Sequence, residues 1–379
     1  MEKETLKMAF YGDFCSYFPE KQNLGKELQN LINRQDLNIV NFEGPLKGNE
    51  LHTANEHYLK QSENAPSWLT SRGFNVISLA NNHLYDWGKV GAYNTVCAFH
   101  GKAEIIGFGT WDEVYSVRFF NVKGYRIGIL AVTQADLSSL KDKWTDGDKV
   151  GCAYINHPEI NMLLAEARPK CDYLFVLAHG GVEFMSVPLP EWRDRYRNFI
   201  DIGVDAVIAS HPHVPQGKEC YKGKWIYYSI GNFCFDKGGE DNLIPHWNNG
   251  VVVCAEISDS GLVFKECLTL LHKHEVEIDS NSDSLCYFKG LCELLENDAR
   301  YVEVLNREVL ALYRKYEIWL LNGYNAVPAS PRGLRTVYRF LRAFIRGKRN
   351  DRLLLHQLRA EDSRWLMIRE YKMMSQTDL

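Results

Sequence analysis

The sequence predicts an α/β protein with a helical C-terminal extension. Three observations carry this prediction. Short apolar, β-rich runs recur at 6–11, 38–42, 74–79, 172–178, 205–209 and 225–230. Segments with helical spacing separate many of them, the alternation that builds mixed or parallel sheets. Beyond about residue 285 the β-rich runs stop, and apolar residues recur at helical period to the end of the chain.

The first strand, Leu6–Tyr11, runs into Gly12-Asp13. A helix follows over 24–34, with Leu24, Leu28, Leu31 and Ile32 on one face. The second strand, Asn38–Phe42, stops at Glu43, with Gly44-Pro45 as the breaker. A short helix over 65–72 is closed by Gly73. The strand at 74–79 then delivers Asn81-Asn82-His83-Leu84-Tyr85-Asp86. A helix over 91–100 precedes a strand at 104–109 that ends in glycines. Strands at 116–122 and 125–132 flank Lys123-Gly124, a hairpin signal. Residues 136–151 read as a loop, and a helix over 159–168 stops at Pro169.

The strand at 172–178 ends at His179-Gly180-Gly181, and a helix occupies 190–202. The strand at 205–209 ends at Ser210-His211-Pro212-His213, and that at 225–230 ends at Gly231-Asn232. Runs 250–257 and 261–271 make a closing pair of strands. Residues 275–284 turn polar and read as a linker, and 285–322 as two amphipathic helices. The expected units are therefore 6–272 and a helical extension, 285–379.

Composition narrows the function classes. The 379 residues suffice for a sizeable core. A net charge of -4 gives no sign of nucleic-acid binding, so no specific nucleic-acid partner is expected. No apolar run is long enough to span a membrane, and the first residues do not resemble a signal peptide. The 10 cysteines have no zinc-type spacing, which suggests the cytoplasm, with most thiols reduced and buried.

Asp13, Glu43, Asn82, His179, His211 and His213 all stand just after predicted strands, on separate segments. Ligands of α/β proteins bind at the carboxyl ends of strands. Carboxylate, imidazole and amide together suit divalent ions such as Mn, Fe or Zn, and a carboxylate between two ions can bridge them. Each residue has a structural alternative: a Gly-Asp turn, a helix cap at Glu43, a buried structural His83 or His179, an exposed His-Pro-His loop. The convergence of six such residues favours a site for one or two divalent metal ions.

The segments Gly12-Asp13, Asn41-Phe42-Glu43, Asn81-Asn82-His83-Leu84-Tyr85-Asp86-Trp87-Gly88, His179-Gly180-Gly181, His211-Pro212-His213-Val214-Pro215-Gln216 and Ser229-Ile230-Gly231-Asn232 resemble the bacterial capsule-synthesis CapA family (PGA_cap, poly-γ-glutamate biosynthesis) over roughly 6–272. That family is similar to the calcineurin-like metallophosphoesterases. The resemblance implies a four-layer α/β/β/α metallophosphoesterase-like sandwich. It implies that Asp13 and His213 bind a first metal, that Glu43 bridges, and that Asn82, His179 and His211 bind a second. It makes His83 the catalytic acid or orienting group and Asp86 its support. One departure stands out: metallophosphoesterases begin Asp-x-His, whereas position 15 is Cys, read as a buried neutral thiol, so the first metal lacks one ligand.

The resemblance implies a metal-dependent hydrolase of capsule, exopolysaccharide or poly-γ-glutamate metabolism acting on a phosphoester or related polymer substrate. The alternatives are a non-catalytic metal-binding accessory protein of a membrane polymer-synthesis complex and a hydrolase of γ-glutamyl bonds. The tail bears on this choice. Arg332, Arg335, Arg339, Arg342, Arg346, Lys348, Arg349 and Arg352 crowd 331–352, with Leu334, Tyr338, Leu341, Phe344 and Ile345 interleaved. Such a basic amphipathic helix either contacts an anionic membrane face or the synthesis complex, or packs on the main domain with its charges solvated. Trp365, Leu366 and Ile368 suggest that the chain folds back there.

Overall fold

A computed structural model describes residues 3–49, 51, 58–146, 149–236, 244–324 and 360–377. Two sheets dominate it. The first has nine strands, in spatial order Asn23–Leu24, Glu275–Ile278, Gly261–His272, Asn249–Ser258, Leu6–Cys15, Leu37–Phe42, Val76–Ser78 and Glu104–Ile106, with Asn232–Phe235 also paired to Leu6–Cys15. The second has six: Pro215–Tyr221, Lys224–Ile230, Ala206–Ser210, Tyr173–His179, Tyr125–Thr133 and Arg118–Val122.

Strand periodicity explains how the sheets pack. In the second sheet Ile127, Ile129, Phe175, Ile208 and Tyr227 join the core shared with the first sheet. Their neighbours Leu130, Val132, Leu174, Val176, Val207 and Tyr228 join a second core on the opposite face. Phe10 meets Phe175 between the sheets at a ring separation of 5.6 Å. On the first sheet's outer side, Phe14 stacks on Trp68 of helix Ala65–Ser71, and Phe42 meets Phe99 of helix Gly88–Phe99. Helices Glu159–Ala167 and Pro190–Ile202 cover the outer face of the second sheet. The result is the predicted four-layer α/β/β/α arrangement.

The extension joins that outer layer. Helices Ser282–Leu295, Asp298–Tyr324 and Glu361–Thr377 place Leu294, Leu295, Leu305, Val309 and Leu366 in the same core as Trp192 and Tyr196. The basic stretch 331–352 lies outside the described residues. No helix among those described is long and apolar enough to cross a membrane.

Three local expectations need correction. Residues 136–151 are not all loop: Ser139–Leu140 pairs in parallel with Cys152–Ala153, and Lys143–Asp146 is a short helix. The expected linker contains strand Glu275–Ile278, which the hairpin turn at Lys273 and His274, both at positive φ, folds onto Thr269–His272. Most cysteines are not buried: Cys15, Cys152 and Cys234 are, whereas Cys97, Cys220 and Cys286 are exposed and the other four intermediate. Strand alternation and helix faces put these small residues at half-covered positions. All ten are free thiols.

Candidate metal centre

The carboxyl ends of both sheets meet at one rim. Leu6–Cys15 supplies Asp13 just past Gly12, at a register shift opposite Leu37–Phe42. The chains pass so closely that a Cβ on Gly12 would lie 1.9 Å from the Gly231 carbonyl oxygen. Leu37–Phe42 supplies Glu43, and Val76–Ser78 leads into Asn82, His83 and Asp86. The second sheet supplies His179 at a strand end and His211 and His213 just beyond Ala206–Ser210. Both of these histidines adopt positive φ, 101° and 61°, about the intervening Pro212. Such backbone is costly for a side-chain-bearing residue and tends to be kept where a side chain must be aimed.

All six expected ligands converge. Asp13 and Glu43 are fully buried, and His179, His211, His213 and Asn82 are at most 9% exposed. Two overlapping triads have donor atoms within 4.8 Å of one another: Asp13, Glu43 and His213, and Glu43, His179 and His211. Glu43 belongs to both. Its Oε1 lies 3.6 Å from His213 Nε2 and 3.8 Å from His179 Nε2. The Asn82 amide oxygen is 2.9 Å from His179 Nε2, which is 3.2 Å from His211 Nδ1. Two donors bound to one ion at about 2.1 Å stand about 3 Å apart, so these spacings fit a shared cation. Cys15 belongs to neither triad; it is buried against Leu59, Phe235 and Trp247.

The electrostatics fit the same occupant. Burial raises the pKa of Asp13, against the pull of His213, Asn41, Ser210 and the His211 N–H. Burial, then the charges of His211, His213 and His83, push His179 well below the ordinary imidazole range. His211 is pushed down to about 3, chiefly by burial. These two imidazoles are therefore neutral at physiological pH, the state a metal ligand requires. Carboxylates buried among neutral imidazoles are costly unless a cation joins them. The buried Asp/Glu/His cluster can therefore hold a divalent ion.

His83 stands apart from the triads. Its Nδ1 is 2.6 Å from Asp86 Oδ2, which also accepts the Leu59 N–H at 2.7 Å. Its Nε2 lies 4.0 Å from Glu43 Oε1, and the side chain is 17% exposed. Burial works against protonation of His83, but Asp86, with Glu183 and Asp136, outweighs it, so the pKa is raised. The geometry is that of a carboxylate-held imidazole turned to the site's edge.

Four supporting residues were not assigned roles from sequence. Asn41 donates to Asp13 Oδ1 at 2.6 Å and stands 3.1 Å from His179 Nδ1. Ser210 Oγ is 3.1 Å from the same nitrogen. Gln134 Nε2 is 3.0 Å from His211 Nε2, and Asn232 Oδ1 is 3.0 Å from His213 Nδ1. Asn41 had a readable signal: it sits in an apolar strand two residues before Glu43, on the same face. Gln134 follows an apolar strand and carries no comparable mark. Asn81 is a brace, donating to the Phe42 carbonyl at 2.9 Å and accepting the Gly44 N–H at 3.3 Å.

Comparison with known proteins agrees with the family resemblance. Residues 10–237 match the family model described as bacterial capsule synthesis protein PGA_cap. The chain is 28% identical over 264 residues to the capsule biosynthesis protein CapA of Bacillus anthracis, covering 62% of this chain and 61% of that protein. It is 30% identical over 249 residues to the PGA biosynthesis protein CapA of Bacillus subtilis (strain 168), covering 62% and 64%. The chain thus spans a little over three fifths of the length of these curated relatives. Among solved structures, a putative 5'-nucleotidase from Staphylococcus aureus aligns at 16% identity with a TM-score of 0.45, covering 76% of this chain and 58% of that one. The model match extends over more than half of the sequence: the chain belongs to the bacterial capsule synthesis protein PGA_cap family.

Proposed function

We propose that this protein is a metal-dependent, phosphoesterase-like hydrolase of capsule, exopolysaccharide or poly-γ-glutamate biosynthesis. The observation that carries the reading is the pair of donor triads sharing Glu43, with the His83–Asp86 pair beside them. In this reading Asp13, Glu43 and His213 hold one divalent ion, and Glu43, Asn82, His179 and His211 a second. Mn, Fe or Zn suits such a donor set. When bound, the ions supply Lewis acidity toward a phosphoryl oxygen and lower the pKa of water. Asn41 and Ser210 fix the His179 ring, and Asn232 fixes that of His213. Asp86 holds His83 by Nδ1, leaving Nε2 to hand a proton to the leaving oxygen at the site's edge. The substrate class follows from the family and from the names of its relatives.

Ion content and hydrolysis together test this. The purified chain, equilibrated with Mn²⁺ and dialysed, is expected to carry two ions and to cleave a generic phosphomonoester or phosphodiester. A metal-replete chain inert across ester and amide substrates overturns the hydrolase reading.

A second reading is a metal-stabilised accessory protein of a membrane-associated synthesis complex. The basic residues of 331–352 and Cys15 at a usual ligand position favour it. Reversing Arg339, Arg342 and Arg346 to Glu should then abolish co-sedimentation with anionic vesicles, while His83→Ala leaves polymer production intact. The opposite pair of results favours the enzyme.

A further inference from the structure

The family match ends at residue 237, yet helices from the later part of the chain grip the loops around the site. The firmest grip is at Glu361, the first residue of helix Glu361–Thr377 and only 1% exposed. Its Oε2 accepts the Ala135 backbone N–H at 3.1 Å. Its Oε1 accepts the Tyr154 hydroxyl at 2.5 Å and the Asn156 amide at 3.1 Å. The helix is seated independently: Leu366 is fully buried, Trp365 packs on Trp192 at 5.1 Å, and Arg369 pairs with Glu191 at 2.7 Å.

Ala135 belongs to a loop that ties the two halves of the site together. Its neighbour Gln134 donates its backbone N–H to the His179 carbonyl at 2.9 Å, and its side-chain amide spans two site segments. Nε2 is 3.0 Å from His211 Nε2, and Oε1 accepts the Gly181 N–H at 3.1 Å. Four residues on, Ser138 donates to the Asn81 carbonyl at 2.6 Å, beside Asn82. A second contact has the same form: Glu308 of helix Asp298–Tyr324 accepts the Ser186 N–H at 2.8 Å. Ser186 lies two residues beyond Phe184, whose N–H donates to the Pro212 carbonyl between His211 and His213.

We propose that Glu361 is a positioning residue for the site: through Ala135 and Gln134 it fixes the ring orientation of His211. The helical extension thereby completes a centre whose ligands all come from the preceding sheets. This rests on the metal-site reading above. Groups that orient a ligand from behind typically change metal affinity by 10–100-fold; Glu361 acts one hydrogen bond and one residue further out, so about tenfold is expected.

The test uses the full-length chain. Co²⁺ affinity is measured by titration, the visible spectrum reports ligand geometry, and melting of the metal-free protein reports the fold. Glu361→Ala should bind Co²⁺ about tenfold more weakly with a shifted spectrum, while Glu361→Gln, which keeps an acceptor for Ala135, recovers most of the affinity. Arg369→Gln, on the same helix but away from the loop, should lower the melting temperature and leave affinity and spectrum unchanged. Should Glu361→Ala fail to fold, Glu361→Asp carries the same expectation, since its shorter carboxylate withdraws from Ala135. If the folded variant binds Co²⁺ with wild-type affinity and spectrum, the positioning role is overturned and the site stands. If the wild-type chain binds no Co²⁺, the site reading falls and this proposal with it.

Discussion

Two acids in this molecule, Glu219 and Asp13, have the same problem of burial and opposite solutions. Glu219, 11% exposed on the second sheet, accepts the Tyr228 hydroxyl at 2.5 Å and Arg197 Nε at 3.1 Å, with Arg193 at 3.5 Å. Burial would raise its pKa, but the Arg197 hydrogen bond, Tyr228 and Arg193 together lower it. Asp13, fully buried, is met by an amide, a backbone N–H and imidazoles, and its pKa is raised. Among the described residues its ion-pair partners are His179 and His213, with no arginine or lysine. The protein neutralises Glu219 with its own cations. Around Asp13 and Glu43 it gathers donors suited to a cation from solution. The difference separates a charge cluster that holds the fold from one whose donors suit a ligand, although a list of buried acids would rank them together.

Substitutions should split the two clusters. The largest effect is expected for Glu43→Gln. Loss of the carboxylate common to both triads should reduce bound ions from two to none by elemental analysis, and hydrolysis by at least about 100-fold. Retention of both ions would remove Glu43 from the bridging position. His83→Ala should lower hydrolysis by about 10²–10⁴-fold, with unchanged ion content; a parallel loss of ions would make His83 a ligand rather than a proton carrier. Ion removal should act on stability through one cluster only. At an ion concentration of about 100 times Kd, chelation should cost the wild type about 2.7 kcal/mol for each bound ion. Glu43→Gln should show no such chelator-dependent shift in melting.

The smallest effect is expected at Glu219. Glu219→Gln should destabilise by about 1–3 kcal/mol without altering ion content. Because the folded pKa of Glu219 is depressed, its contribution is present above the unfolded value of about 4.3 and is lost as pH falls through the folded value. The wild type should therefore lose its stability advantage over Glu219→Gln on acidification below about pH 4.3. An advantage that persists in acid would break the contrast with Asp13.

Much of the site was legible because its residues interrupt apolar strands. Glu43 after Asn38–Phe42 and His179 after 172–178 are polar groups at abrupt ends of buried runs, which turn formation alone does not require. The layers were legible less directly: period-two alternation gives two faces per strand but not which sheet a strand joins. Strand Asn232–Phe235 was not legible, because four residues beside a Gly carry no periodicity. The same holds for Ser139–Leu140, set by one parallel pairing partner. Gln134 and Glu361 were hidden for another reason. Their roles depend on contacts across long separations, 226 positions in the case of Ala135 and Glu361, which no local pattern records.

The backbone N–H of His211 donates to Asp13 Oδ2 at 3.1 Å across 198 positions of chain. A ligand set spread this widely has a consequence for biogenesis. On the ribosome, Asp13 and Glu43 emerge long before the histidines that complete either triad, and parallel pairing of distant strands is slow. In the metal-site reading, loading therefore belongs to the end of folding. Ion uptake during refolding should lag the recovery of far-ultraviolet dichroism, which makes the centre a chemical clock for the moment at which the two sheets dock.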